Sequence, residues 1–455
     1  MAPVIQPGLE RVRELLAELY NPHLGMPVVH VAGTNGKGSV CSYISSVLAA
    51  TGLKTASFSS PHLLHPRDSI RINGQAITLQ QYQSAHRQVQ MAMKAIAVTR
   101  NNSPEQHQLP TASPFEQLVA LMFLVIRQLQ VDIVVLEVGL GGLLDATNII
   151  PSPLVAVITA IGIDHTAFLG TTVLEIAAHK AGIFKPENCV AVIARQPQSN
   201  VQLLLEQYAS AAQCQIHPLP SVCVVSSDGN NIYPSVSATF CNTQLQLVQR
   251  LPGSFQLDNI AAALAALESL VLVHNYTISA SDVINGFDSV TCPGRLEWIQ
   301  HPDLPISNLP ISDPPTNRRV LLDGAHNPLA AAVLADYVNH QRNAMPSLAH
   351  VHWIVGFTSG KDIHNSLSCL VQPQDRVSVV PFAQPLDMPW IHSEDTRIIA
   401  HVADTLIQGD TPSQCFDSFA DAWNVITSSN TDCIVVICGS LYLVSEVYRT
   451  LHMTF

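Results

Sequence analysis

The run Val28-Val29-His30-Val31 leads directly into Ala32-Gly33-Thr34-Asn35-Gly36-Lys37-Gly38-Ser39, after which Val40, Ile44, Val47 and Leu48 fall at helical spacing up to Gly52. Strand, glycine loop and helix in that order confine this stretch to a βα unit whose loop faces a phosphate. Glycines let backbone N–H groups approach phosphate oxygens, the helix N-terminus adds positive potential, and Lys37 reaches the outer phosphates. The common Gly-x4-Gly-Lys-Ser/Thr pattern formally fails, because Val31 stands where its first glycine belongs and Gly38 follows the lysine. The bland alternative is a tight glycine turn with an exposed lysine. It leaves unexplained why three glycines and a lysine crowd into the six residues Gly33 to Gly38, a density that close packing against phosphate accounts for.

The first half of the chain repeats the unit. Between residues 26 and 195, the apolar runs Val28 to Val31, Val131 to Val138, Leu154 to Ile163 and Cys189 to Ala194 alternate with amphipathic stretches, as in a parallel sheet. Alternating segments on either side of Asp228-Gly229-Asn230-Asn231 read as an added antiparallel hairpin. Prolines 302, 305, 310, 314 and 315 keep His301 to Asn317 out of helix interior and central strand, which makes it a loop near a domain junction. Beyond it, Val320 to Leu322, His352 to Val355, Val377 to Val380 and Ile434 to Ile437 resume the βα alternation in a smaller domain. The expected division is 1–298 and 299–455.

Composition excludes several classes. With 47% hydrophobic and only 12% charged residues, the 455-residue chain is globular rather than disordered. Its 22 Lys and Arg against 34 Asp and Glu leave a net charge of −12, which argues against a nucleic-acid binder. No uninterrupted apolar stretch reaches the ~18 residues of a membrane span. Glu10, Arg11, Arg13 and Glu14 break the order a secretory signal needs. The ten cysteines contain no Cys-x-x-Cys pair, so neither a zinc site nor a disulfide framework is indicated. A globular protein of a reducing cytoplasm, without nucleic-acid or membrane partners, is the expectation.

Two later strands end in chemistry. Glu137 closes the run Val131 to Val138 ahead of Gly139-Leu140-Gly141-Gly142, and Asp164-His165 follows the next run. Ligands of open α/β sheets bind beyond the carboxyl ends of strands, so parallel pairing brings Glu137 and His165 to the edge that carries the glycine loop. An acid and an imidazole beside a triphosphate suggest magnesium, with Ser39 and Ser60 as hydroxyl ligands. Taken alone, Glu137 reads equally as a capping or ion-pairing residue and His165 as a loop histidine. In the next helix, Val173, Ile176 and Ala177 mark the buried stripe, and Lys180 continues it. An inward lysine must snorkel, pair with an acid such as Glu137, lose its proton or be chemically changed.

Together these residues resemble the folylpolyglutamate synthase and dihydrofolate synthase family of the Mur ligase superfamily. The resemblance rests on His30 to Ser39, Ser60-Pro61-His62-Leu63, Leu136 to Gly142 with Asp145-Ala146-Thr147-Asn148, Asp164-His165-Thr166 and Lys180-Ala181-Gly182-Ile183. Further on it takes in Pro293-Gly294-Arg295, Asp323 to Pro328 and Gly439 to Leu443. It implies an α/β fold, a P-loop domain of the Mur-ligase central type with a parallel sheet and a smaller Rossmann-like C-terminal domain, with ATP in the cleft between them. The implied reaction is an ATP-dependent ligation: a pteroate or folate carboxylate takes the γ-phosphate as an acyl phosphate, and L-glutamate displaces it to form an amide.

By matching position, the resemblance makes Gly33, Thr34, Asn35, Gly36, Lys37, Gly38 and Ser39 the phosphate contacts. Asn259 becomes an adenine contact, Arg295 a phosphate contact, Asp323 a ribose contact and His326 another nucleotide contact. Two magnesium ions are implied, held by Ser39, Ser60, Glu137, His165 and a carbamylated Lys180; Lys37, Lys180 and His165 are the catalytic set. Phe115 and Asp145 match positions lining the pterin pocket. The chain departs from many relatives at Asp68-Ser69, where Glu-Arg is common, at Leu143 for Arg, at His179 for Glu and at Cys292 for Trp. These bear on substrate choice and efficiency more than on ATP and magnesium. The competing expectations are another Mur-type amide ligase, which would need a UDP-binding domain ahead of the roughly 27 residues before the first strand, and a nucleotide-binding homologue impaired in catalysis.

Overall fold

The computed structural model describes residues 8–101, 110–186, 188–226, 233–300, 319–344, 350–385, 388, 390–407, 412–428 and 433–453. The chain forms two compact units: Val4–Arg250 with Gln256–Thr291, and Leu251–Phe255 with Cys292–Phe455. The pentapeptide Leu251–Phe255 thus belongs to the second unit, where Phe255 packs on the core and Ser254 Oγ donates to Asp336 Oδ2 at 3.5 Å.

The first unit is built on the strands β1 (Val28–Ala32), β2 (Thr55–Phe58), β3 (Ile70–Ile72), β4 (Gln75–Ala76), β5 (Ile133–Glu137), β6 (Val155–Ile158), β7 (Val190–Ile193) and β8 (Gln215–Ile216). They lie in the order β4-β3-β2-β5-β1-β6-β7-β8, parallel from β2 to β8 with β3 and β4 antiparallel at one edge. β1, β5, β6 and β7 are buried along their whole length, as a sheet covered on both faces requires. Register sets Val31 opposite Glu137 and Ala32 opposite Ile158, so the ends of β5 and β6 flank the end of β1.

Helices cover the faces: α1 (Glu10–Glu18), α2 (Lys37–Ala50), α3 (Leu79–Asn101), α4 (Pro114–Leu129), α5 (Thr166–Leu169), α6 (Val173–Ala181), α7 (Ser199–Ala211), α8 (Gln256–Leu272) and α9 (Ala280–Ser289). α4 starts on a Ser113/Glu116 capping box with Pro114 in its first turn, and α6 on a Thr172/Glu175 box; each such cap contributes about 1 kcal/mol. α1, α3 and α4 close one core over β2 and β5, with Leu15, Phe58, Phe123 and Val134 inside. α2 packs against α8 and α9, and the buried Ala261 to Ala266 of α8 keep that packing close.

A three-stranded antiparallel sheet, β9 (Val222–Ser226), β10 (Ser235–Phe240) and β11 (Thr243–Val248), is added in the order β11-β10-β9. The expected hairpin is therefore two hairpins. Residues 228–231 lie outside the described residues, and the second turn is made by Cys241 and Asn242 at φ 46° and 64°.

In the second unit, β12 (Glu297–Gln300), β13 (Arg319–Leu322), β14 (Val351–Val355), β15 (Arg376–Val379), β16 (Gln414–Cys415) and β17 (Ile434–Cys438) are ordered β12-β13-β17-β14-β15-β16. All pairs are parallel except β12 with β13. A division after residue 298 falls inside β12, whose pairing with β13 keeps it with the second unit. Residues 301–317 lie outside the described residues. Among the described residues no helix is long and apolar enough to cross a membrane.

Candidate active site

The glycine loop is held from the side by the segment that follows β6. Thr34 N and Asn35 N both donate to Ala160 O, at 2.9 and 3.2 Å. Thr34 Oγ1 pairs with the Gly162 carbonyl and amide at 3.0 Å each, and Thr159 Oγ1 donates to Asn35 O at 2.7 Å. β6 stops at Ile158 although its apolar run continues to Ile163: the Ala160 carbonyl and the Gly162 backbone serve the loop, and Thr159 O and Ile161 N pair with the Gln196 side chain instead of a ladder. Gly33 has φ +152°, and a Cβ there would stand 1.8 Å from Thr159 Oγ1. Gly36, at φ +89°, leaves the same absence of space to Asn259 Oδ1, 2.4 Å from where its Cβ would be.

Gly36 also caps α2 without a side chain, and the first turn of α2 carries no acid. Its orphan N–H groups and positive end are thus open to an anion. Lys37 Nζ lies along the loop, donating to Gly33 O at 3.1 Å and Thr34 O at 3.2 Å. Ser39 is buried one turn on and accepts from Gln256 Nε2 at 3.2 Å; Gln256 Oε1 in turn accepts from Asn259 Nδ2 at 3.0 Å. Sequence reading passed over Gln256, whose one available signal is its spacing of three from Asn259 on the same helix face.

The carboxyl ends of β2, β5, β1 and β6 deliver the remaining groups to this edge. Ser60 stands two residues beyond β2, ahead of a cis peptide to Pro61, and the buried Glu137 ends β5 beside Val31. His165 sits at φ 52° ahead of α5, half exposed, with Nε2 3.8 Å from Asp164 Oδ2. Among the described residues no three His, Cys, Asp or Glu side chains form a metal-holding cluster. The set at this edge is instead one of hard oxygens, Ser39, Ser60 and Glu137, with one imidazole. That chemistry fits magnesium, which takes few protein ligands and fills its shell with phosphate oxygens and water.

Lys180 is buried on α6 and donates to Gly33 O at 2.7 Å, so its observed partner is the phosphate loop rather than a carboxylate. Burial, with the positive charge of Lys37, pulls its pKa down to about 7 against the opposing pull of Asp164 and Asp145. Near neutrality a large share of Lys180 is therefore free amine, the form that reacts with carbon dioxide. Glycines bring α6 this close: a Cβ on Gly142 would stand 2.7 Å from Lys180 O. Two of the departures meet here, Leu143 N donating to His179 O at 2.8 Å.

Phe115 rests on Gly139, whose Cβ would stand 2.5 Å from its Cζ, and 6.2 Å from the Phe58 ring. Asp145 is buried, and its carboxylate accepts from Leu140 N at 2.8 Å, Thr147 N at 3.0 Å and Thr147 Oγ1 at 2.5 Å. Burial pushes its pKa up, and those hydrogen bonds work against the rise. Asp145 is thus first a cap of the turn that follows it. Behind it, His30 Nε2 lies 2.9 Å from Thr147 Oγ1.

In the second unit, Arg295, Asp323 and His326 gather at the end of β13. Asp323 accepts from Leu296 N and Ala325 N, each at 2.8 Å, and His326 Nδ1 lies 2.9 Å from Gly324 O. Burial raises the Asp323 pKa, opposed by Arg295. A Cβ on Gly324 would stand 2.9 Å from Arg295 Nη1, so the glycine lets the guanidinium pass.

Comparison with known proteins extends these local observations to the whole chain. The family model of the Mur ligase middle domain matches residues 31–267, and that of the dihydrofolate synthetase C-terminal domain matches residues 309–450. A probable dihydrofolate synthetase of Schizosaccharomyces pombe is 34% identical over 455 residues, which is 99% of each chain. The Mycobacterium tuberculosis folylpolyglutamate synthase complexed with ADP and AMPPCP is similar in structure, at TM-score 0.82 and 28% identity over 98% of this chain and 96% of that one. So is the bifunctional folylpolyglutamate synthase/dihydrofolate synthase of Yersinia pestis complexed with AMPPNP and Mn ion, at TM-score 0.74 and 27% identity over 99% and 95%. Matched in both units and along nearly its full length, the chain belongs to the dihydrofolate synthase/folylpolyglutamate synthase family of the Mur ligases.

Proposed function

We propose that this chain joins L-glutamate to dihydropteroate in an ATP-dependent ligation. The observation that carries the reading is the Lys180 amine on the Gly33 carbonyl, in a chain matched along its whole length by a dihydrofolate synthetase. The loop amides from Gly33 to Ser39 and Lys37 hold the triphosphate, and Asn259 contacts the adenine; Arg295, Asp323 and His326 keep the nucleotide-binding roles that the family resemblance gives them. Ser39, Ser60 and Glu137 hold one magnesium ion, and His165 with carbamylated Lys180 a second. These ions supply charge neutralisation between ATP and the incoming carboxylate. The substrate carboxylate attacks the γ-phosphorus, ADP leaves, and the glutamate amine then displaces phosphate with loss of a proton. Phe115 packs on the pterin, and the lone pairs of Asp145 not used on Leu140 and Thr147 accept from it.

A monomer in a reducing, cytoplasmic setting completes the reading, the setting resting on ten cysteines without a Cys-x-x-Cys pair. The test is incubation with ATP, magnesium, glutamate and either dihydropteroate or tetrahydrofolate, followed by product masses. A single-glutamate adduct of dihydropteroate is expected; none with either acceptor overturns the reading. A second reading, use of reduced folates as well, is favoured by the likeness to the bifunctional Yersinia pestis enzyme. Added glutamates on tetrahydrofolate in the same assay would establish it.

A further inference from the structure

We infer that Gln256 is a positioning residue that couples Asn259 to Ser39, so that the base end of a bound nucleotide sets the hydroxyl that meets the divalent ion. The inference rests on the nucleotide reading above and adds a residue and a linkage to it. Gln256, Asn259 and Ser39 are each buried, at 2%, 5% and 6% exposure, so every polar atom among them needs a partner. Asn259 Nδ2 donates to Gln256 Oε1 at 3.0 Å, which engages the carbonyl of Gln256, while its amide Nε2 donates to Ser39 Oγ at 3.2 Å. Ser39 must therefore accept from Gln256. One lone pair and its own proton remain, and the hydroxyl has fewer orientations open to it.

The other end of Asn259 lies against the loop at Gly36, where no Cβ could fit. A movement of Asn259 toward or away from a base thus reaches the loop twice, directly at Gly36 and through Gln256 at Ser39. Buried amides cost stability unless bonded. Beyond this first turn α8 turns to the buried Ile260, Ala261, Ala262, Ala263 and Leu264.

The test measures, by calorimetry on the full chain, the magnesium concentration at which nucleotide binding half-tightens, for ADP and for inosine diphosphate. In the unaltered protein the change of base should raise that concentration at least ~5-fold, the low end of ordinary coupling between sites. In Gln256→Met the ratio between the two nucleotides should fall to about one, as loss of the linkage predicts. Gln256→Glu guards against a folding failure. It keeps the acceptor for Asn259 and removes the donor to Ser39, and its added charge acts on both nucleotides alike and cancels in the ratio. The coupling is overturned if the ratio survives in both variants, or if metal-free and metal-dependent binding weaken by one factor, the mark of a loop brace alone. If the unaltered protein binds neither nucleotide, the reading of the site falls and the inference falls with it.

Discussion

An amine as buried as Lys180 loses its proton at a pH where surface lysines keep theirs. Its pKa of about 7 lies below the ordinary 10.5, so between those values the unfolded chain binds one proton more than the folded one, and stability rises with pH across that window. In buffer free of carbon dioxide, Lys180→Met should remove that slope, at most about 1.4 kcal/mol per pH unit, as read by urea unfolding at a series of pH values. An unchanged slope would mean the ammonium is tolerated. With carbon dioxide present, Lys180→Ala should lose most activity and recover part of it with acetate, while Lys180→Arg stays inactive. Full activity in the arginine variant would instead indicate a plain cation. Lys37 faces the loop carbonyls. Lys37→Ala should leave the fold intact and lower turnover by at least ~100-fold, the usual cost of removing one donor to developing charge. For Asp145, substitution by Asn should raise the dihydropteroate KM and leave ADP affinity unaltered; equal effects on both would remove it from the pterin side.

At the scale of elements, what could be read in advance depended on whether a segment carried a period. The buried strands β1, β5, β7, β14 and β17 are predominantly apolar runs and were visible as such. β3, β4, β8 and β16 hold two or three residues each, too few to show any alternation, and exist because a neighbouring strand offers an edge. The run Leu154 to Ile163 was legible as apolar, yet nothing in it tells that its second half lends the carbonyls of Ala160 and Gly162 to the phosphate loop, since that exchange depends on a segment over 120 residues away. Lys180 could be placed on the inward stripe by spacing, but its partner could not, because a backbone carbonyl has no sequence signature. The loop itself can be tested as an element. Gly36→Ala meets both a positive φ and Asn259 Oδ1. It should weaken ADP binding at least ~10-fold and lower stability by about 1–3 kcal/mol, the range for a strained backbone position; wild-type ADP affinity would show that the loop can open elsewhere.

For the molecule as a whole, the resemblance carried most of the functional reading, because the site is written in short motifs spread from residue 30 to residue 328. The departures at Ser69, Leu143, His179 and Cys292 leave the phosphate-loop contacts of Lys37, Ser39 and Lys180 in place. The path of the backbone between its two units has a different kind of consequence. The chain enters the second unit at Leu251, leaves it after Phe255 and returns for good at Cys292. No single cut separates the units: a fragment ending at residue 298 keeps the pentapeptide without its surroundings and half of β12 without β13. Recombination between relatives meets the same seam. A crossover at the later junction alone would set a foreign C-terminal unit against a resident Ser254 and Phe255, so a functional exchange has to carry two pieces of the gene at once, and the pentapeptide is inherited with the unit it packs in rather than with the helix it precedes.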